Sequence, residues 1–99
     1  MNVLQAPVSR TEQTLRIQDY LIERISHMRR KKNSNRKMLF ETIFKKCMIS
    51  TKQGRQRAKG YIRRYLAHYK KVAFIKDYGE EKDGITIILA DKKELSKNG

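Results

Sequence analysis

Apolar residues recur at helical spacing as far as Tyr69, and after Lys71 the period shortens to that of extended chain. A chain with that order folds as helices followed by strands, an α+β class, and not as an alternating α/β or all-helical domain. Ile17, Leu21, Ile25 and Met28 form one stripe at steps of four, four and three, widened by Tyr20 and Ile22. Ser9 and Glu12 have capping-box spacing, so the first helix is expected to start there. The polar residues Asn33, Ser34 and Asn35 offer N-caps for a second, shorter helix over residues 39 to 47, where Met38, Leu39, Phe40, Ile43, Phe44 and Cys47 repeat at helical spacing.

Ser50 and Gln53 repeat the capping-box spacing, and a third helix is predicted over residues 51 to 69. Projected at 100° per residue, Ala58, Ile62, Leu66 and Tyr69 share its inner face, with Tyr61 and Tyr65 on the shoulder. The opposite face carries Gln53, Gln56, Arg57, Gly60 and Arg64, flanked by Lys52, Lys59 and Arg63. The apolar run from Val72 to Ile75, continuing to Tyr78, and a second from Ile85 to Leu89 read as two strands. Six polar residues ending in Asp83 and Gly84 join them, which predicts an antiparallel hairpin.

Ninety-nine residues suffice for one small core, placed here over residues 9 to 90, with residues 1 to 8 and 91 to 99 expected as a flexible arm and tail. Charge is strongly segregated. Positions 29 to 71 hold sixteen lysines and arginines against Glu41 alone, a net +15, while the other eight basic and nine acidic residues sum to −1. A block of that sign implies a polyanionic partner, and its self-repulsion works against the compact state.

The chemistry of the remaining residues points away from catalysis. Cys47 is the only cysteine and falls on the apolar face, as a small buried hydrophobe would. No glycine-rich phosphate loop, HExxH or metal-ligand spacing occurs, and neither His27 nor His68 converges with the acids. We therefore expect no enzyme activity, no cofactor and no metal. No apolar run reaches the length of a membrane span, and a cytoplasmic, nucleoid-associated location is expected.

Helix, short helix, tight link, basic helix and hairpin together resemble a winged helix-turn-helix domain. The likeness rests on residues 39 to 47, the turn Met48, Ile49, Ser50 and Thr51, the helix to Tyr69, and a wing over residues 74 to 89, and covers most of residues 11 to 90. Similar small basic domains occur in plasmid and phage regulators, replication initiators and partition factors, a likeness of fold only. The resemblance implies that the third helix enters the major groove with the second across its back.

Residue types fit that role on their own terms. Glutamine matches the adenine edge and arginine two guanine acceptors, so Gln53, Gln56 and Arg57 are the expected base readers. Thr51, Lys52, Lys59, Arg63 and Arg64, with Arg30, Lys31, Arg36 and Lys37 as a clamp, are expected to hold phosphates. Gly60 projects outward, either to let a sugar-phosphate ridge approach or because the helix breaks there.

The expected function is that of a double-stranded DNA-binding protein, a sequence-selective regulator able to act as a homodimer. RNA binding is one alternative; another is an adaptor in a nucleoprotein complex. The wing departs from the usual pattern: Asp77, Glu80, Glu81 and Asp83 outnumber Lys76 and Lys82. These acids should avoid a duplex, and a partner protein or a basic patch on a second copy is their expected neighbour.

Overall fold

The computed structural model describes residues 10–31 and 35–89, and shows a small α+β domain of three helices and one three-stranded antiparallel sheet. The expected arm and tail lie outside the described residues. In chain order the elements are α1 (Glu12–Arg30), β1 (Lys37–Leu39), α2 (Phe40–Lys46), α3 (Lys52–Lys71), β2 (Asp77–Glu80) and β3 (Gly84–Ile88).

The capping of α1 differs from the expectation at Ser9. Thr11 is the N-cap: its hydroxyl accepts the Thr14 amide at 3.1 Å, and the Thr14 hydroxyl accepts the Thr11 amide at 2.8 Å. Threonine at N3 thus closes the capping box, and Glu12 is the first residue of the helix. Thr14 is itself buried, and its carbonyl accepts a 3.0 Å hydrogen bond from the Tyr65 hydroxyl, tying the start of α1 to α3. Ile17, Leu21, Ile25 and Met28 are buried as the stripe predicts.

β1 is the element missing from the sequence reading. Asn35 does not cap a helix; its side-chain oxygen accepts the Lys37 amide at 3.0 Å and turns the chain into β1. Met38 then pairs with Ile85 across the sheet, and both are buried. Leu39 faces the other way and is exposed, so α2 begins only at Phe40, with Leu39 as an N-cap that makes no side-chain hydrogen bond. Leu39 also lies opposite Gly84, where a Cβ would stand 2.4 Å from the Met38 carbonyl oxygen, so only glycine admits this closeness of strands.

Both α2 and α3 end in Schellman motifs. Beyond α2, Ile49 N–H donates to the Phe44 carbonyl at 2.8 Å and Met48 N–H to that of Lys45 at 3.3 Å. Beyond α3, Phe74 N–H donates to Tyr69 at 2.9 Å and Ala73 N–H to Lys70 at 3.2 Å. The residue that must adopt left-handed backbone is Met48 (φ 59°) in the first and Ala73 (φ 63°) in the second. Consequently the apolar run from Val72 to Ile75 is a helix stop and not a strand. β2 starts at Asp77, the hairpin turn spans only residues 81 to 83, and the sheet order is β1-β3-β2.

One core joins these elements. Phe40, Ile43, Phe44 and Cys47 of the α2 region, Ala58, Ile62, Tyr65, Leu66 and Tyr69 of α3, and Met38, Ile85 and Ile87 of the sheet are buried together with the α1 stripe. Burial also lifts the thiol pKa of Cys47 above its ordinary value. The hydroxyl of Tyr69 is buried without a hydrogen-bond partner among the described residues, and burial raises its pKa.

Candidate nucleic-acid interface

α3 carries eight basic side chains and no acid over its twenty residues. Its N-cap is Thr51, whose hydroxyl accepts the Gly54 amide at 3.0 Å, one position later than the Ser50 capping box predicted from spacing. The helix continues unbroken through Gly60 to Lys71, two residues past the expected end at Tyr69. A Cβ at position 60 would meet nothing within 4 Å. The break proposed for Gly60 is therefore absent, and this glycine lies on open surface.

The eight cations divide into two sets of four. Arg55 and Lys59 lean onto α2, with the Arg55 guanidinium 5.5 Å from the Phe44 ring centre and the Lys59 ammonium 4.7 Å from that of Phe40. Both pairs step by one helical turn, in opposite directions along the two helices, and each contact is worth about 0.5–1 kcal/mol at an exposed site. Farther along the same flank, Arg63 and Lys70 lean onto β2. Arg63 donates two hydrogen bonds to the Glu80 carboxylate at 2.7 and 2.9 Å, and Lys70 lies 3.2 Å from Asp77. Lys52, Arg57, Arg64 and Lys71 make no ion pair with any described residue and are exposed.

The base readers expected from sequence, Gln53, Gln56 and Arg57, are all exposed on the ridge of α3 opposite its buried stripe. Arg64 stands one pair of turns beyond Arg57, and Gly60 lies between them. Of the expected phosphate ligands, Lys59 and Arg63 are held by Phe40 and Glu80, while Lys52 and Arg64 are not so held. In the clamp segment, Arg30 is an exposed residue of the last turn of α1, Lys31 is its exposed C-cap, and Arg36 is half-buried beside β1. Lys37 bridges two acids of the hairpin turn, 3.0 Å from Glu81 and 2.9 Å from Asp83.

Every acid of the hairpin thus faces a cation of the same chain. The expectation that these acids seek a partner protein or a second copy has a simpler answer in Lys37, Arg63 and Lys70. Their carboxyls are correspondingly held below the ordinary range: Glu80 by Arg63, Asp83 by Lys37, Glu81 by the Thr86 hydroxyl and then Lys37, and Asp77 by the Tyr78 amide and then Lys70. Sequence spacing alone does not show these pairs, because each crosses from one element to another through the fold. The nearest signal was the alternation of wing acids with an all-basic helix.

Tyr65 and Tyr69 are buried and Tyr61 is partly buried against the core, so α3 has no exposed aromatic face on which unpaired bases would stack. A shallow depression between α2 and the start of α3 is lined by Glu41, Thr42, Phe44, Lys45, Ile49, Ser50 and Arg55. Among the described residues no cluster of histidines, cysteines and carboxylates suits a metal ion, and no helix is long and apolar enough to cross a membrane. No family model, curated protein or solved structure matches this chain.

Proposed function

We propose that the chain is a double-stranded DNA-binding domain of the winged helix-turn-helix type that reads the major groove with α3. The observation that carries this reading is the exposed ridge of α3, where Gln53, Gln56, Arg57 and Arg64 stand together with no acid among them and no ion pair to any described residue. A helix of this kind presents both parts that recognition needs, bidentate donors for base edges and free cations for phosphates. The element order supports the class: α2 packs across α3, and the β2-β3 hairpin follows α3 with β1 completing the sheet.

Within this reading Gln53, Gln56 and Arg57 read bases. Lys52, Arg64 and Lys71 hold phosphates, with Arg30 and Arg36 as further backbone contacts and Thr51 at the helix start. Duplex DNA is favoured over single-stranded RNA because the tyrosines are turned inward. The test is selection from a random duplex pool followed by titration of the enriched site against salt. A short enriched motif is expected, with log K falling against log salt at a slope of about −4.5 for five phosphates neutralised by these cations. Equal affinity for all sequences would overturn sequence-selective reading, and a slope near zero would overturn DNA binding through these cations.

A further inference from the structure

β2 runs antiparallel to the second half of α3 in matching register. Asp77 and Glu80 are three strand steps apart, about 10 Å, and Lys70 and Arg63 are seven helix steps apart, about 10.5 Å. The two acids are therefore spaced to meet two cations on one flank of α3. Nothing in folding requires that flank to be basic: a neutral pair of side chains would pack the exposed contact equally well, since exposed ion pairs contribute little to stability. Meanwhile Glu80 engages Arg63 with the paired hydrogen bonds by which a guanidinium also grips a phosphate.

We propose that Glu80, assisted by Asp77, is a specificity-determining residue: it occupies Arg63 as a phosphate would, and so subtracts backbone contacts that bind every sequence alike. This rests on the DNA-binding reading of α3 and adds a regulatory part to it. An all-basic helix beside a duplex gains affinity without discrimination, because phosphate contacts carry no sequence information. Occupying Arg63 and Lys70 leaves the base-reading ridge untouched while lowering the non-specific background. The ratio of specific to non-specific binding, which decides occupancy among many competing sites, then rises.

Glu80→Gln keeps the shape of the side chain and removes its charge. Binding of a random-sequence duplex is measured for wild type, Glu80→Gln, the double variant Glu80→Gln with Arg63→Gln, and Glu23→Gln, which removes an exposed acid of α1 that has no ion pair among the described residues. We expect Glu80→Gln to bind random duplex about fivefold tighter at 0.15 M salt, with a slope steeper by about 0.9, the effect of one released cation. The double variant returns to the wild-type slope, and Glu23→Gln keeps it. Asp77→Asn, which frees Lys70, should shift the slope in the same direction and guards against a fold defect peculiar to position 80. If wild type binds duplex but Glu80→Gln leaves the slope unchanged, or changes it no more than Glu23→Gln, the proposal is wrong while DNA binding stands. If wild type binds no duplex, both fall.

Discussion

The Thr51 hydroxyl accepts the Gly54 amide at 3.0 Å, and a Cβ added at position 54 would stand 2.7 Å from that same oxygen. The cap at the start of α3 therefore depends on the glycine three residues later. Gly60, six positions on, has open space instead. Alanine at either site gains up to about 1 kcal/mol of helix propensity, but at Gly54 it displaces a cap worth about the same. Gly60→Ala should raise stability by about 1 kcal/mol, roughly 4–8 °C in Tm, whereas Gly54→Ala should not. On a Thr51→Ala background Gly54→Ala should become favourable. Urea melts of the four variants check this, and an equal gain at both glycines would contradict it.

Met48 and Ala73 hold the left-handed position of a Schellman motif, where a side chain costs about 1–2 kcal/mol relative to glycine. Ala73→Gly and Met48→Gly should each stabilise the domain, by about 1 kcal/mol after the greater freedom of glycine in the unfolded chain is set against the relief. Met48 is 76% exposed, so its substitution removes no core contact. Chemical denaturation reads the outcome; a loss of stability at Ala73 would mean that its methyl group packs favourably.

What the sequence made legible follows from how local each cause is. The stripes on α1 and α3, the burial of Cys47 and the outward ridge of α3 depend on periodicity within one helix, and spacing shows them directly. β1 was hidden because Met38, Leu39 and Phe40 run without a break into α2; Met38 is a strand residue only through its pairing with Ile85, far along the chain. The run after Lys71 looks β-like in composition, yet the bonds to Tyr69 and Lys70 make it a helix stop. Likewise, cations that look alike in sequence are separated by tertiary contact: Arg63 meets Glu80 and Arg64 does not, though they are neighbours.

Stability should fall modestly on acidification, because the hairpin acids are paired but exposed. Glu80, Glu81, Asp77 and Asp83 all have carboxyl pKa values below their ordinary ones in the folded chain. The sign for a depressed carboxyl is fixed: its contribution is fully present above the unfolded value, near pH 4, and is lost as pH falls through the folded value. Protonation also removes the carboxylates that, among the described residues, pair with Arg63, Lys70 and Lys37. Tm should therefore be flat from about pH 7 to pH 5 and decline below about pH 4, less so in Glu80→Gln, which has one such group fewer. A calorimetric pH series measures it, and a Tm that held steady to pH 2 would show that these pairs contribute nothing.

Arg57 and Lys52 lie little more than one turn apart at the start of α3, both exposed and with no ion pair to a described residue, but chemistry gives them different work. Arg57 shares the central ridge with Gln53, where its planar fork can meet the two acceptors of guanine; Lys52 lies toward one flank and offers a point charge suited to phosphate. Arg57→Ala should cost about 1–3 kcal/mol on the selected site and relax preference at one base pair, with little change on random duplex. Lys52→Ala should weaken both kinds of site alike and reduce the salt slope by about 0.9. Arg64→Ala should follow Lys52, whereas Arg63→Ala should change DNA affinity little, because Glu80 already occupies its guanidinium. Titrations of specific and random duplexes at several salt concentrations separate these patterns, and a loss for Arg63→Ala as large as that for Arg64→Ala would show that Glu80 releases Arg63 when a duplex arrives.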